Sequence, residues 1–110
     1  CAPFAVGIDI EQIKPVKPAL FARVAGEAEW RMMGRSEAAF FRAWTAKEAV
    51  VKAEGVGFAG FSRCQIVDLL SEDQMQLTFD DRRYYIHFSH RDGHLTAVTV
   101  RNGCCHWIYL

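Results

Sequence analysis

From residue 40 to residue 57 the chain reads FFRAWTAKEAVVKAEGVG, and its apolar positions recur with helical spacing. That spacing predicts a helix, with Ser36 placed to cap its start and Gly55 and Gly57 placed to end it. Winding the segment at about 100° per residue around Val50 brings Ala39, Ala43, Ala46 and Ala53 onto one stripe of small residues. Phe40, Val51 and Trp44 continue the apolar surface round one side, which ends at Phe41. Glu48 and Lys52 fall beside Phe41, away from the alanine stripe. A helix that is apolar over most of its circumference is normally buried. An acid and a lysine one turn apart on it must then be paired, bound to a ligand, or set at the floor of a cleft.

Residues 4–11, FAVGIDIE, alternate instead. Val6, Ile8 and Ile10 point one way and Gly7, Asp9 and Glu11 the other, which predicts a strand with its Val/Ile face in the core. Gly7 is expected to leave open space beside the two carboxylates. A lone Asp-x-Glu is commonly a solvated strand face. Acids are depleted in strands, however, and two like charges on one face repel unless a cation joins them. Residues 13–18, IKPVKP, are broken by prolines into a locally basic loop, open to plain solvation or to an anion contact through Lys14 and Lys17. Residues 19–33 return to helical spacing with a break at Gly26. Arg31 and Arg35 there form a small basic ridge, either ordinary surface or a seat for an acidic partner helix.

Beyond Gly57 the period drops to two. Residues 61–70, 75–79, 82–90 and 94–101 are predicted strands, with Asp80-Asp81 and Arg91-Asp92-Gly93 as turns between the last three. In the last strand neither face is strongly polar, so the pattern leaves its buried side open. The four strands read as an antiparallel meander packed on one side. Residues 104–110 add a final strand or pack against the sheet. The predicted fold class is α+β: one domain over residues 1–110, with a long helix packed on an antiparallel sheet.

Composition narrows the partners. A length of 110 residues supports one core, and 51% hydrophobic residues mark a folded globular chain. Thirteen acids balance thirteen bases, which argues against binding nucleic acid through a general basic surface. No apolar run is long enough to span a bilayer, and no signal-like segment is visible. Cys1, Cys64, Cys104 and Cys105 show no CxxC spacing and read as reduced cysteines of a cytoplasmic protein. A first residue of Cys fits a chain trimmed or cut from something longer.

Asp9, Glu11 and Glu48 are each awkward alone; together they make a hard oxygen site of the kind that holds Mg2+ with waters and substrate phosphates. Lys52, one turn beyond Glu48, is placed to neutralise a phosphate oxygen. Lys47 is open to the same role or to a solvated position at the helix edge. Metal plus lysine on a phosphate describes phosphoryl-type transfer. A metal-dependent nuclease would carry its acid and lysine at i and i+2 on a strand, whereas Glu48 and Lys52 are i and i+4 on a helix. His87, His90 and His94 flank a hairpin turn without a Cys or acidic ligand at zinc spacing, so they read as surface histidines.

The blocks GIDIE at 7–11 and WTAKEAVVK at 44–52, followed by Gly55, resemble the 4'-phosphopantetheinyl transferases, in the form of the Sfp-type branch. The two motifs together are specific, and weaker similarity extends over most of the chain. By that resemblance Asp9, Glu11 and Glu48 match Mg2+ ligands, and Lys52 matches the lysine that contacts the coenzyme A phosphates. Glu48 is also implied as a base for the serine of an acyl- or peptidyl-carrier protein. The implied reaction moves phosphopantetheine from coenzyme A to that serine and releases 3',5'-ADP. Sfp-type enzymes are two similar halves with coenzyme A between them, and this chain resembles the second half alone. The expectation is therefore a homo-oligomer with its site near a subunit interface, or a unit completed by an N-terminal half. A catalytically silent half-domain that binds coenzyme A or a carrier is the alternative, against which the intact carboxylate–lysine set speaks.

Overall fold

A computed structural model describes residues 5–101; the expectations for residues 104–110 and for Cys1, Cys104 and Cys105 lie outside them. Strand β1 (Ala5–Gln12) leads through a loop and a 3-10 turn, Pro18–Leu20, into helices α1 (Phe21–Val24) and α2 (Glu27–Met33). The long helix α3 (Glu37–Glu54) follows. A second 3-10 turn, Phe58–Arg63, enters strands β2 (Cys64–Ser71), β3 (Gln74–Phe79), β4 (Arg82–Arg91) and β5 (His94–Arg101). The architecture is α+β, helices packed on one five-stranded antiparallel sheet, as the patterning predicted.

Helix α3 starts three residues before the first Phe of its apolar run, because the Ser36 hydroxyl accepts the Ala39 N–H at 3.0 Å and fixes the first turn. It ends at Glu54, where Gly55 takes φ of 74°, a left-handed conformation that a side chain would strain. Ala43, Ala46, Ala49 and Val50 are fully buried, so the small-residue stripe is the face laid on the sheet. Across the sheet it meets Leu77, Tyr84, Ile86, Phe88 and Leu95, all within 1% of complete burial.

Strands β2 to β5 form the expected meander, and the sheet order is β1-β5-β4-β3-β2. The hairpin between β4 and β5 turns on Asp92 and Gly93, both at positive φ. In β5 the open question resolves toward Leu95, Ala97 and Thr99, each 0% exposed under α3. Strand β1 pairs with β5 rather than with a sequence neighbour, in a register that sets Asp9 opposite Ala97.

Two expectations about β1 are corrected. Its Val/Ile face is outward: Val6, Ile8 and Ile10 are 47%, 53% and 58% exposed, whereas Asp9 is 4% exposed. The Asp/Glu face is the one that α3 covers, because only that face carries a glycine small enough for the helix to approach. Gly7 accordingly leaves no open space. A Cβ on it would stand 1.9 Å from the Ala49 carbonyl oxygen, so the volume of the missing side chain is filled by helix backbone.

Candidate active site

That close approach places the carboxylates. With β1 pressed onto α3, Asp9 and Glu11 meet the side of the helix that carries Glu48 and Lys52. The Lys52 ammonium donates to Asp9 Oδ1 at 2.7 Å. Asp9 Oδ2 is buried with no hydrogen-bond partner. A buried carboxylate oxygen without a donor carries a substantial desolvation cost unless a further cation or donor meets it. Asp9 is thus half satisfied by lysine and half open.

The two neighbouring acids feel this environment. Burial raises the Glu11 pKa above the ordinary carboxylate value, and the Asp9 charge adds to the rise, while a hydrogen bond with the Trp44 side chain works against it. Burial also raises Glu48, again reinforced by Asp9 and opposed by Lys52. Lys52 is raised in turn, first by its hydrogen bond to Asp9. Its side chain is still 52% exposed, so the ammonium can reach solvent-side ligands. Three acids and one lysine in mutual electrostatic reach form a site with excess negative charge.

Among the described residues no group of three or more histidine, cysteine or acidic side chains is arranged to hold a metal ion directly. The lysine explains this in part, since its ammonium occupies one oxygen of the acid that the others would share. The donor set nevertheless suits a hard divalent cation: carboxylate oxygens only, one of them buried and unpartnered. Asp9, Glu11 and Glu48 are the residues that would hold it.

Lys47 does not join them. It is 1% exposed, and its ammonium donates to the Val24 carbonyl at 2.7 Å and pairs with Glu29 Oε2 at 3.0 Å. Neither the phosphate role nor the solvated edge expected from the sequence describes it. The reason is that α1 and α2 cover the flank of α3 next to Glu48, and the Val24 carbonyl and the Glu29 carboxylate, both buried there, capture the lysine. Glu29 was not singled out from the sequence. It accepts the N–H groups of Gly26 and of Ile66 in β2, tying three segments together. The signal was present as an acid three residues after a helix-entry glycine, the spacing of a reciprocal cap. On the ridge, Arg35 pairs with Glu27, which removes part of its positive charge.

Beside Glu11 opens a cleft of about 330 Å³ whose walls include Lys14, Arg23, Phe41, Trp44 and Phe58. Its floor is aromatic: Trp44 lies 6.4 Å from Phe40 in a stacked arrangement and 6.0 Å from Phe58. Trp44 thus meets the carboxylates through Glu11 and the cleft through its ring, a double role that its apolar spacing in the sequence did not reveal. A second cavity, of about 410 Å³, adjoins the cleft around Glu29, Lys47 and Cys64.

A carboxylate cluster and a lysine thus meet at the seam of a strand and a long helix, beside a cleft with an aromatic floor. The chain belongs to the 4'-phosphopantetheinyl transferase superfamily, whose family model matches residues 5–102. It is 38% identical over 73 residues to the 4'-phosphopantetheinyl transferase psf-1 of Bacillus pumilus, a match that covers 62% of this chain. The matched segment spans 31% of that protein's length. Among the described residues no helix is long and apolar enough to cross a membrane.

Proposed function

We propose that this chain transfers 4'-phosphopantetheine from coenzyme A to a serine of an acyl- or peptidyl-carrier protein, with Mg2+, and releases 3',5'-ADP. The observation that carries the reading is Asp9: buried, bound to Lys52 through one oxygen, and unpartnered at the other. Together with Glu11 and Glu48 it would hold a hard divalent cation. When bound, Mg2+ supplies neutralisation of the pyrophosphate charge as it builds.

The chain's own residues do the rest. Lys52, freed from Asp9, turns its exposed ammonium to a phosphate oxygen and holds the pyrophosphate in line. Glu48, whose burial and acidic neighbours raise its proton affinity, accepts the serine proton directly or through water. The serine oxygen then bonds to the β-phosphorus of coenzyme A, and the bond from that phosphorus to the bridging oxygen breaks. The released 3',5'-ADP carries away the bridging oxygen and its electron pair. The cleft beside Glu11 suits the pantetheine arm, with Phe41 and Trp44 against its methylenes and Lys14 at its rim. Lys47 is assigned no contact with coenzyme A.

A second observation supports assembly. Val6, Ile8, Ile10, Leu70 and Tyr85 leave the sheet face opposite α3 apolar and exposed. A second copy, or an equivalent N-terminal half, would bury that face. The free, buried thiol of Cys64 agrees with a reducing, cytoplasmic setting. The test is mass spectrometry of an apo carrier domain incubated with the chain, coenzyme A and Mg2+. A gain of the phosphopantetheine mass, abolished by EDTA, is expected. Transfer that persists in excess EDTA overturns the metal role, and a sedimenting monomer that still transfers overturns the assembly. Binding of coenzyme A without any mass gain would favour the silent half-domain.

A further inference from the structure

The acids of the site differ in depth. Asp9 is 4% exposed, while Glu11 and Glu48 are half-buried. A buried carboxylate needs a counter-charge, and the Lys52 ammonium supplies one to Asp9 Oδ1 at 2.7 Å. The two partners are unequal in freedom. Asp9 is fixed on β1 beneath α3, whereas the Lys52 side chain is 52% exposed. Its flexible stem can carry the charge away toward solvent without disturbing the helix. Lys47, on the same helix, is the contrast: it is 1% exposed and held by both the Val24 carbonyl and Glu29.

Asp9 Oδ2 has no hydrogen-bond partner. A divalent cation on that oxygen and an ammonium on the other would repel at close range, in a partly buried setting where solvent screens poorly. The ammonium is the one free to move, because three carboxylates would hold the cation and only one holds the lysine. We propose that Lys52 is a built-in stand-in for the metal: it neutralises Asp9 until the cation loads, competes with it, and is displaced by it. The inference rests on the Mg2+ part of the transferase reading and adds that Lys52 weakens the chain's own hold on the metal.

This exchange couples two ligands through one side chain. A phosphate that draws Lys52 off Asp9 opens that acid to the cation, and a cation that displaces Lys52 delivers its charge to the phosphate. Each therefore favours the other, as linkage requires. A lysine that merely stapled β1 to α3 would have the opposite effect on the metal. Its removal would loosen Asp9 and Glu11 from Glu48 and so weaken the cation, whereas removal of a competitor strengthens it.

The experiment is calorimetric titration of the whole chain with Mg2+, without coenzyme A. Lys52→Gln, whose amide can still donate to Asp9 but carries no charge, is expected to bind Mg2+ about tenfold more tightly than wild type. Lys52→Met should do the same if Lys52→Gln fails to fold. Lys14→Met removes a charge from the neighbouring cleft but not from Asp9, and should change the affinity by less than about twofold. In proton–nitrogen correlation spectra of the lysine ammonium groups, the Lys52 signal should shift or vanish on adding Mg2+ while the buried Lys47 signal stays in place. Equal or weaker Mg2+ binding by the Lys52 variants, or a Lys52 signal unmoved at saturating Mg2+, overturns the proposal and leaves the transferase reading intact. Absence of Mg2+ binding by every chain without coenzyme A also overturns it. If Mg2+ still fails to bind with coenzyme A present, the metal role in the transferase reading falls as well.

Discussion

The most direct perturbation of this site touches none of its charged residues. Gly7 lies on β1 opposite Thr99, two residues before Asp9, with the α3 backbone against it. A Cβ there would meet the Ala49 carbonyl oxygen at 1.9 Å and its carbon at 3.0 Å, neither of which can rotate away. Restoring ordinary contact at 3.4 Å requires strand and helix to part by about 1.5 Å. Among the described residues strand β1 is at the sheet's edge and pairs with β5 alone, so it is the element that yields. Overpacking of this kind costs about 1–3 kcal/mol. The same shift carries Asp9 and Glu11 away from Glu48 and Lys52. A misplacement of about 1 Å in a catalytic array can lower rate by about a hundredfold.

Gly7→Ala is therefore expected to lose about 1–3 kcal/mol in urea unfolding and about a hundredfold in phosphopantetheine transfer followed by mass spectrometry of the carrier. Gly57→Ala is the control: no atom lies within 4 Å of a Cβ at that position and its φ is −91°, so both measurements should stay near wild type. If Gly7→Ala unfolds and transfers like wild type, the close strand–helix approach is not what assembles the site.

Glu48→Gln should abolish transfer and the thermal stabilisation by Mg2+ while leaving the far-ultraviolet circular dichroism unchanged; retained Mg2+ stabilisation would remove Glu48 from the metal set. Lys47→Met strips the cation from buried Glu29 and should cost about 3–5 kcal/mol in urea unfolding. The double variant Glu29→Gln/Lys47→Met should recover part of it, and an unchanged midpoint for the single variant would refute the structural role. Cys64 titrates near the ordinary 9.0 when unfolded and at about 12 in the fold, so the native state holds its proton more tightly. Its contribution is present below pH 9 and drains away as pH rises from 9 toward 12. Melting temperatures should thus fall more steeply over that window for wild type than for Cys64→Ala; parallel curves would rule this out.

Much of the fold was legible because local rules carry it. The Ser36 cap, the stop at Gly55, the alanine stripe and the period-two strands each depend on neighbours a few residues away, and each appears in the structure. The residues of the candidate site were legible for a related reason: acids on a strand and an acid–lysine pair on an apolar helix are uncomfortable alone, and that discomfort is visible in one dimension. Which side of β1 is inward was not legible. Alternation states that two faces differ, not which one a partner covers, and the apolar face of β1 has no partner within the described residues. Lys47 shows the same limit. Its flank of α3 is capped by segments well before it in the chain, and there the Val24 carbonyl and the Glu29 carboxylate decide its role. The sequence alone thus determined the elements and the cast of charged groups. Only the tertiary structure decided that a missing Cβ at Gly7 lets helix and strand touch, and that this contact brings Asp9 to Lys52.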